Sequence, residues 1–158
     1  MSDPNYPLPA FYFTLQVLGR LGSGARHPDA DASFQEISGI EAERDIESVA
    51  DGGENRFVHR LPKALRYSNL VLKRGVTNRD SFLSEWIGTS LESNLTSPIE
   101  KHDLMVALLN EQAAPVVTWT FTNAFPVKYE LSALNSQENK ILIETLEFSY
   151  DTFKRDER

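Results

Sequence analysis

The chain contains no cysteine among its 158 residues, which removes disulfides and thiolate metal sites. Long hydrophobic runs are also missing, and none approaches the roughly 20 residues that a membrane-spanning helix needs. Basic charge is in short supply: 16 Lys and Arg stand against 23 Asp and Glu, for a formal net charge of -7. That sign opposes a phosphate-binding footprint, so neither sequence-specific nucleic acid nor a membrane is an expected partner. Met1-Ser-Asp-Pro-Asn-Tyr-Pro lacks the basic start and apolar run of a secretory signal, and the lack of cysteine suits folding in a reducing cytoplasm.

Catalytic signatures are equally scarce. The three histidines, His27, His59 and His102, are far apart, and none lies in a metal-ligand pattern such as His-Glu-x-x-His. The glycines of Gly19-Arg-Leu-Gly-Ser-Gly24 lack the Gly-Lys-Ser/Thr ending of a phosphate loop, and Ser23 and Ser38 sit in no Gly-x-Ser-x-Gly elbow. The expectation is therefore no catalytic residue, no cofactor and no metal. A small-ligand-binding β-barrel remains the alternative from a different functional class.

What is present is strand periodicity. Phe11, Phe13, Leu15 and Val17 alternate with polar residues, which gives a first strand. Arg20 to Ser33 reads as loop, Phe34 to Val49 as strand with Gly39 at a bend or bulge, and Phe57 to Leu61 and Ser68 to Lys73 as strands. Leu104 to Leu109, Val116 to Thr122, Val127 to Leu131 and Ile141 to Tyr150 follow, with Pro115 and Pro126 bounding one of them. One segment has another period: Asp80 can cap a helix through Glu92, with Phe82, Leu83, Trp86, Ile87 and Leu91 on a single stripe. The pattern predicts a mainly β fold, an antiparallel barrel or sandwich with one flanking helix at about 80–92. It divides into an N-terminal extension (1–10), one β-barrel domain (11–153) and a charged tail (154–158).

Charge is segregated along the chain. Asp29 to Glu54 holds nine acids and one base, Arg44, whereas Asn55 to Arg79 holds seven bases and no acid. Either neighbouring strands pair across these blocks within one subunit, or the blocks meet head to tail between copies, with Arg66 and Arg74 at the contact. Glu41, Glu43, Asp45 and Glu47 share one strand face, which must be wet or opposed by bases, as a solvated surface or a lumen wall would be. Glu144 shares its face with Leu142, Leu146, Phe148 and Tyr150. A buried carboxylate needs a partner, for which Lys73 or Arg74 of the same or a neighbouring subunit is the candidate unless a local twist lets Glu144 reach water.

Four short strings recur in fixed order: Phe34-Gln-Glu-Ile-Ser-Gly-Ile40, Leu72-Lys-Arg-Gly75, Trp119 followed by Asn123-Ala-Phe-Pro126, and Ile143-Glu-Thr-Leu-Glu-Phe148. Together they resemble the tail-tube proteins of contractile-tailed phages and phage-like contractile injection systems. The resemblance implies a β-barrel with one flanking helix, and it makes Gly39, Gly75, Trp119, Asn123, Phe125 and Pro126 fold-defining residues. It further implies hexameric rings that stack around a lumen able to hold cargo, with sheath, baseplate and spike proteins as partners and no chemical step. Two roles stay open, the repeated tube subunit and a baseplate-proximal tube initiator.

Overall fold

The computed structural model describes residues 12–18, 26–53, 56–76, 81–133 and 141–157. Along them run β1 (Tyr12–Leu18), β2 (Arg26–Phe34), β3 (Glu36–Ser38), β4 (Ala42–Val49), β5 (His59–Tyr67), β6 (Leu70–Gly75), α1 (Phe82–Glu92), β7 (His102–Leu109), β8 (Pro115–Leu131), β9 (Ile143–Ser149) and β10 (Thr152–Glu157). The main sheet has the order β2-β1-β7-β8-β9-β6-β3, with β10 also on β8, while β4 and β5 form a separate two-stranded arm. Every pairing is antiparallel. The fold is thus mainly β with a single helix, as the periodicity predicts.

The strand alternation decides what is buried. Leu70, Leu72 and Arg74 of β6 point the same way as Glu144, Leu146 and Phe148 of β9, and all six are buried while the residues between them are half-buried. Leu15, Val17, Leu104, Val106 and Phe121 from β1, β7 and β8 complete the core. Helix α1 covers it with Leu83, Trp86 and Ile87, and Trp86 stacks on Phe148 at 5.6 Å while its Nε1 donates to the Glu100 carbonyl at 3.0 Å. Burial of that stripe holds an 11-residue helix that would be marginal in isolation.

Strand β8 is the axis of the fold. It runs 17 residues and pairs with β7 through Ala124 on one flank, while β10 and then β9 occupy the other flank without a break. The continuity is held by the backbone bond from Asp151 N to Thr122 O.

Several sequence expectations are corrected. Residues 26–34, expected as loop, form β2. An edge strand needs only backbone pairing, so it carries no apolar alternation to read, and Pro28 is tolerated there. The two strands expected either side of Pro126 are one, because pairing with β7 stops at Ala124 and Pro126 lies where that flank of β8 has no partner strand among the described residues. The first part of the expected charged tail continues as β10 through Glu157. The helix is capped by Ser81, whose Oγ accepts from Ser84 N at 3.3 Å, and Asp80 lies outside the described residues, as do the glycines at 19, 22 and 24.

A Cβ on Gly88 would meet nothing within 4 Å. Gly88→Ala is therefore expected to stabilise the subunit by about 0.5–1 kcal/mol, and Ser81→Ala to cost about 1 kcal/mol, both read by chemical denaturation. A destabilised Gly88→Ala protein would contradict the helix's open face.

Candidate assembly site

Asn123 to Pro126 makes the corner at which β8 passes from β7 to β9. Asn123 takes a left-handed φ of +52°, its backbone N–H donates to Asp103 Oδ1 at 2.9 Å, and its Nδ2 donates to Asp151 Oδ2 at 2.7 Å. An Asn tolerates that backbone region better than most residues, and its two bonds fix the turn. Ala124 and Pro126 are buried, Phe125 is half-buried under the ammonium of Lys101 at 5.5 Å, and Trp119 packs against the core cluster. Gly39 bears out its bend, with φ of +81° and a Cβ that would stand 1.8 Å from the Asn69 carbonyl oxygen. Gly75 does not share that need: an added Cβ there would make ordinary contact, 3.5 Å from Ile141 Cγ2.

The expected partner of Glu144 resolves to Arg74. The two residues face each other in the β6–β9 register, and Arg74 Nε donates to Glu144 Oε1 in a contact closed to solvent, at 5% and 7% exposure. The Arg74 guanidinium also lies over the Phe34 ring at 5.3 Å, and Tyr129 Oη donates to Glu144 Oε2 at 3.3 Å. Burial first, and then the negative charge of Glu144, raises the Tyr129 pKa above its ordinary value. Lys73 points to the opposite face and binds Glu36 Oε1 at 3.0 Å. Arg74 and Glu144 are thus satisfied inside one subunit, which corrects the expectation that Arg74 is available at a subunit contact.

The charge blocks also meet within one subunit, as β4 and β5 of the arm. Arg66 Nη2 reaches Asp45 Oδ1 at 2.7 Å and Glu43 Oε2 at 3.9 Å, Lys63 Nζ lies 4.0 Å from Glu47 Oε2, and Glu41 accepts from Ser68 Oγ at 3.1 Å. Those four acids do share a face, and cross-strand bases oppose it. Each exposed pair contributes at most about 1 kcal/mol, so the pairs set the arm's polarity more than its stability.

Sequence reasoning missed the other face of the arm. There Ala42, Arg44, Ile46 and Ser48 stand opposite Tyr67, Leu65, Pro62 and Arg60. Tyr67 packs on the core, but Leu65 and Ile46 are 42% and 56% exposed. The even positions of β4 carry that signal. On β5 it is scrambled, because Lys63 and Ala64 together occupy the space opposite Asp45.

The second open feature is β8 beyond the corner. Residues 127–131 are all exposed, and the flank that β7 leaves free has no partner strand among the described residues. Tyr129 and Leu131 lie opposite Leu146 and Glu144, on the helix-covered side of the sheet, and Lys128 and Glu130 lie on the other.

Residues 9–154 match the family of the T4-like virus tail tube protein gp19. The chain belongs to this tail-tube family. It is 29% identical to a chain of the anti-feeding prophage baseplate, with TM-score 0.77 over 99% of this chain and 98% of that one. It is 22% identical to a chain of the extended sheath-tube complex of the PVC extracellular contractile injection system, with TM-score 0.78 over 98% and 95%. Hcp1 from Flavobacterium johnsoniae shares the fold at 18% identity, with TM-score 0.53 over 94% and 97%. Comparison with curated proteins gave no match. The protein is a tail-tube-like structural protein of phage tails and contractile injection particles, and its family is not one of enzymes.

Glu144→Gln removes the charge that faces Arg74 across the buried β6–β9 contact and is expected to cost about 3–5 kcal/mol. Glu147→Gln keeps an oxygen for Asn69 Nδ2, now bound at 2.7 Å, and is expected to cost well under half as much. In a double-mutant cycle by urea unfolding, Arg74 couples to Glu144 and Lys73 does not. Equal effects of the two Gln variants would contradict the pairing.

Proposed function

We propose that this tail-tube family member forms hexameric rings that stack into the inner tube of a contractile particle, each copy adding strands to the next around a shared lumen. The observation that carries this reading is the free flank of β8 at 125–131, together with an arm that stands apart from the main sheet. A strand edge with unpaired donors and acceptors is a template for a further strand, and a ring of copies removes every such edge at once. The arm's charged face, with Glu41, Glu43, Asp45 and Glu47, continues the Lys128 and Glu130 side of the sheet in that arrangement. It is the wet face, and we assign it to the lumen, where paired and like charges keep cargo from adhering.

Sheath, baseplate and spike proteins are the partners of such a tube, made and assembled in the bacterial cytoplasm. One observation favours a second reading, a tube-initiating ring at the baseplate: identity is 29% to the baseplate chain against 22% to the sheath-tube chain. Copy number per particle by quantitative mass spectrometry separates the two, since a bulk subunit repeats along the tube and an initiator occupies a single ring position.

Recombinant protein is expected to be β-rich by circular dichroism and to form ring-sized or tube-sized particles in negative stain. A strictly monomeric species at every concentration and salt level would contradict assembly as the function.

A further inference from the structure

Beside Tyr129, a groove of about 320 Å³ opens between α1 and the sheet, lined by Ile87, Gly88, Leu91, Glu92, Tyr129 and Leu146 together with Ser84 and the Arg74 and Glu144 pair. Three properties mark it as unfinished. Leu91 is 39% exposed at its mouth, although it belongs to the apolar stripe of the helix. Gly88 leaves open space, with nothing within 4 Å of where a Cβ would stand. Glu92 sits in the last helical turn, where the helix dipole disfavours an anion; that turn has no base, and no described residue pairs with Glu92.

The occupant follows from chemistry on the same chain. The missed face of the arm offers two exposed aliphatic side chains, Ile46 and Leu65, with Arg60 further out on the same face. No described residue pairs with Arg60 either, and α1 carries acids at Glu85 and Glu92 and no base. Position agrees with charge. Tyr129 belongs to both the free flank of β8 and the groove wall, and it lies with Leu131 on the helix side of the sheet. A strand added to that flank carries one of its faces beneath α1, next to Leu91 and Glu92.

We infer that the groove between α1 and β9 is the seat for the β4–β5 arm of a second copy, with Ile46 and Leu65 entering beside Leu91 and Gly88 and with Arg60 meeting Glu92. This rests on the ring-forming reading above. It names the contact that selects a neighbouring copy over any other strand, since backbone pairing alone carries no identity. Gly88 then has a function in assembly that outweighs its cost to the helix.

The test uses the full chain and follows assembly by light scattering and negative stain, with the fold of each variant monitored by circular dichroism. Gly88→Leu is a good helix residue in open space, so the subunit stays folded, and its side chain fills the seat; assembly is expected to need at least tenfold more protein. Glu92→Arg alone and Arg60→Glu alone each weaken assembly, and the two together restore it toward wild type. Particles of wild-type yield from folded Gly88→Leu, or additive losses in the charge-swapped pair, would overturn this seat while leaving ring formation intact, and would hand the groove to another segment or a small ligand. Wild-type protein that forms no particle under any condition overturns the ring reading and this one with it.

Discussion

A β-strand has backbone donors and acceptors on both flanks, and the architecture follows from how far β8 satisfies them. Through Ala124 it is paired on both sides, by β7 and by β10, and there its side chains reach into the deepest part of the core. Beyond the corner β9 is its one partner strand among the described residues. The Asn123 turn, the Pro126 placement and the bulge after it carry the half-paired segment away from β7 while it stays on β9, with every residue from 127 to 131 exposed. A lone subunit leaves that flank to water; a closed ring of subunits does not.

The buried Arg74 and Glu144 pair holds the strand next to this edge in register. An ion pair closed to solvent is a poor source of net stability, but mispairing β6 and β9 by one residue would put Arg74 and Glu144 on opposite faces and part them. Tyr129 links the pair to the edge, since its hydroxyl caps the second Glu144 oxygen from the half-paired part of β8. The interior polar contact therefore sits directly behind the surface on which a neighbouring copy is expected.

Much of this was readable from residues alone, and the failures have specific causes. The period-two company of Leu146 and Phe148 raised a buried Glu144 as one of two readings, the other being a twist that lets it reach water, and the structure buries it. The choice between Lys73 and Arg74 needed only the same rule, because Arg74 shares its face with Leu70 and Leu72. The union of the acidic and basic blocks was open as an intramolecular pairing, and the register of Glu43 against Arg66 makes it one. β2 was invisible, because residues 26–33 are polar, small or Pro and carry no apolar alternation to announce a strand. The apolar side of the arm was hidden by a bulge that breaks alternation at Lys63 and Ala64. By propensity alone Gly88 is a cost to the helix, and only its position over an open groove gives it another meaning.

The central claim is that copies of this chain complete one another's strand edges. A cryo-EM map of the assembled recombinant protein tests it most directly. The account predicts a six-fold ring whose inner wall is a closed β-barrel, with a neighbour's strand hydrogen-bonded along β8 from 127 to 131 and the Glu43, Asp45 and Glu47 face turned to the lumen. A ring in which that flank of β8 stays bare, with subunits joined through other surfaces, would contradict it.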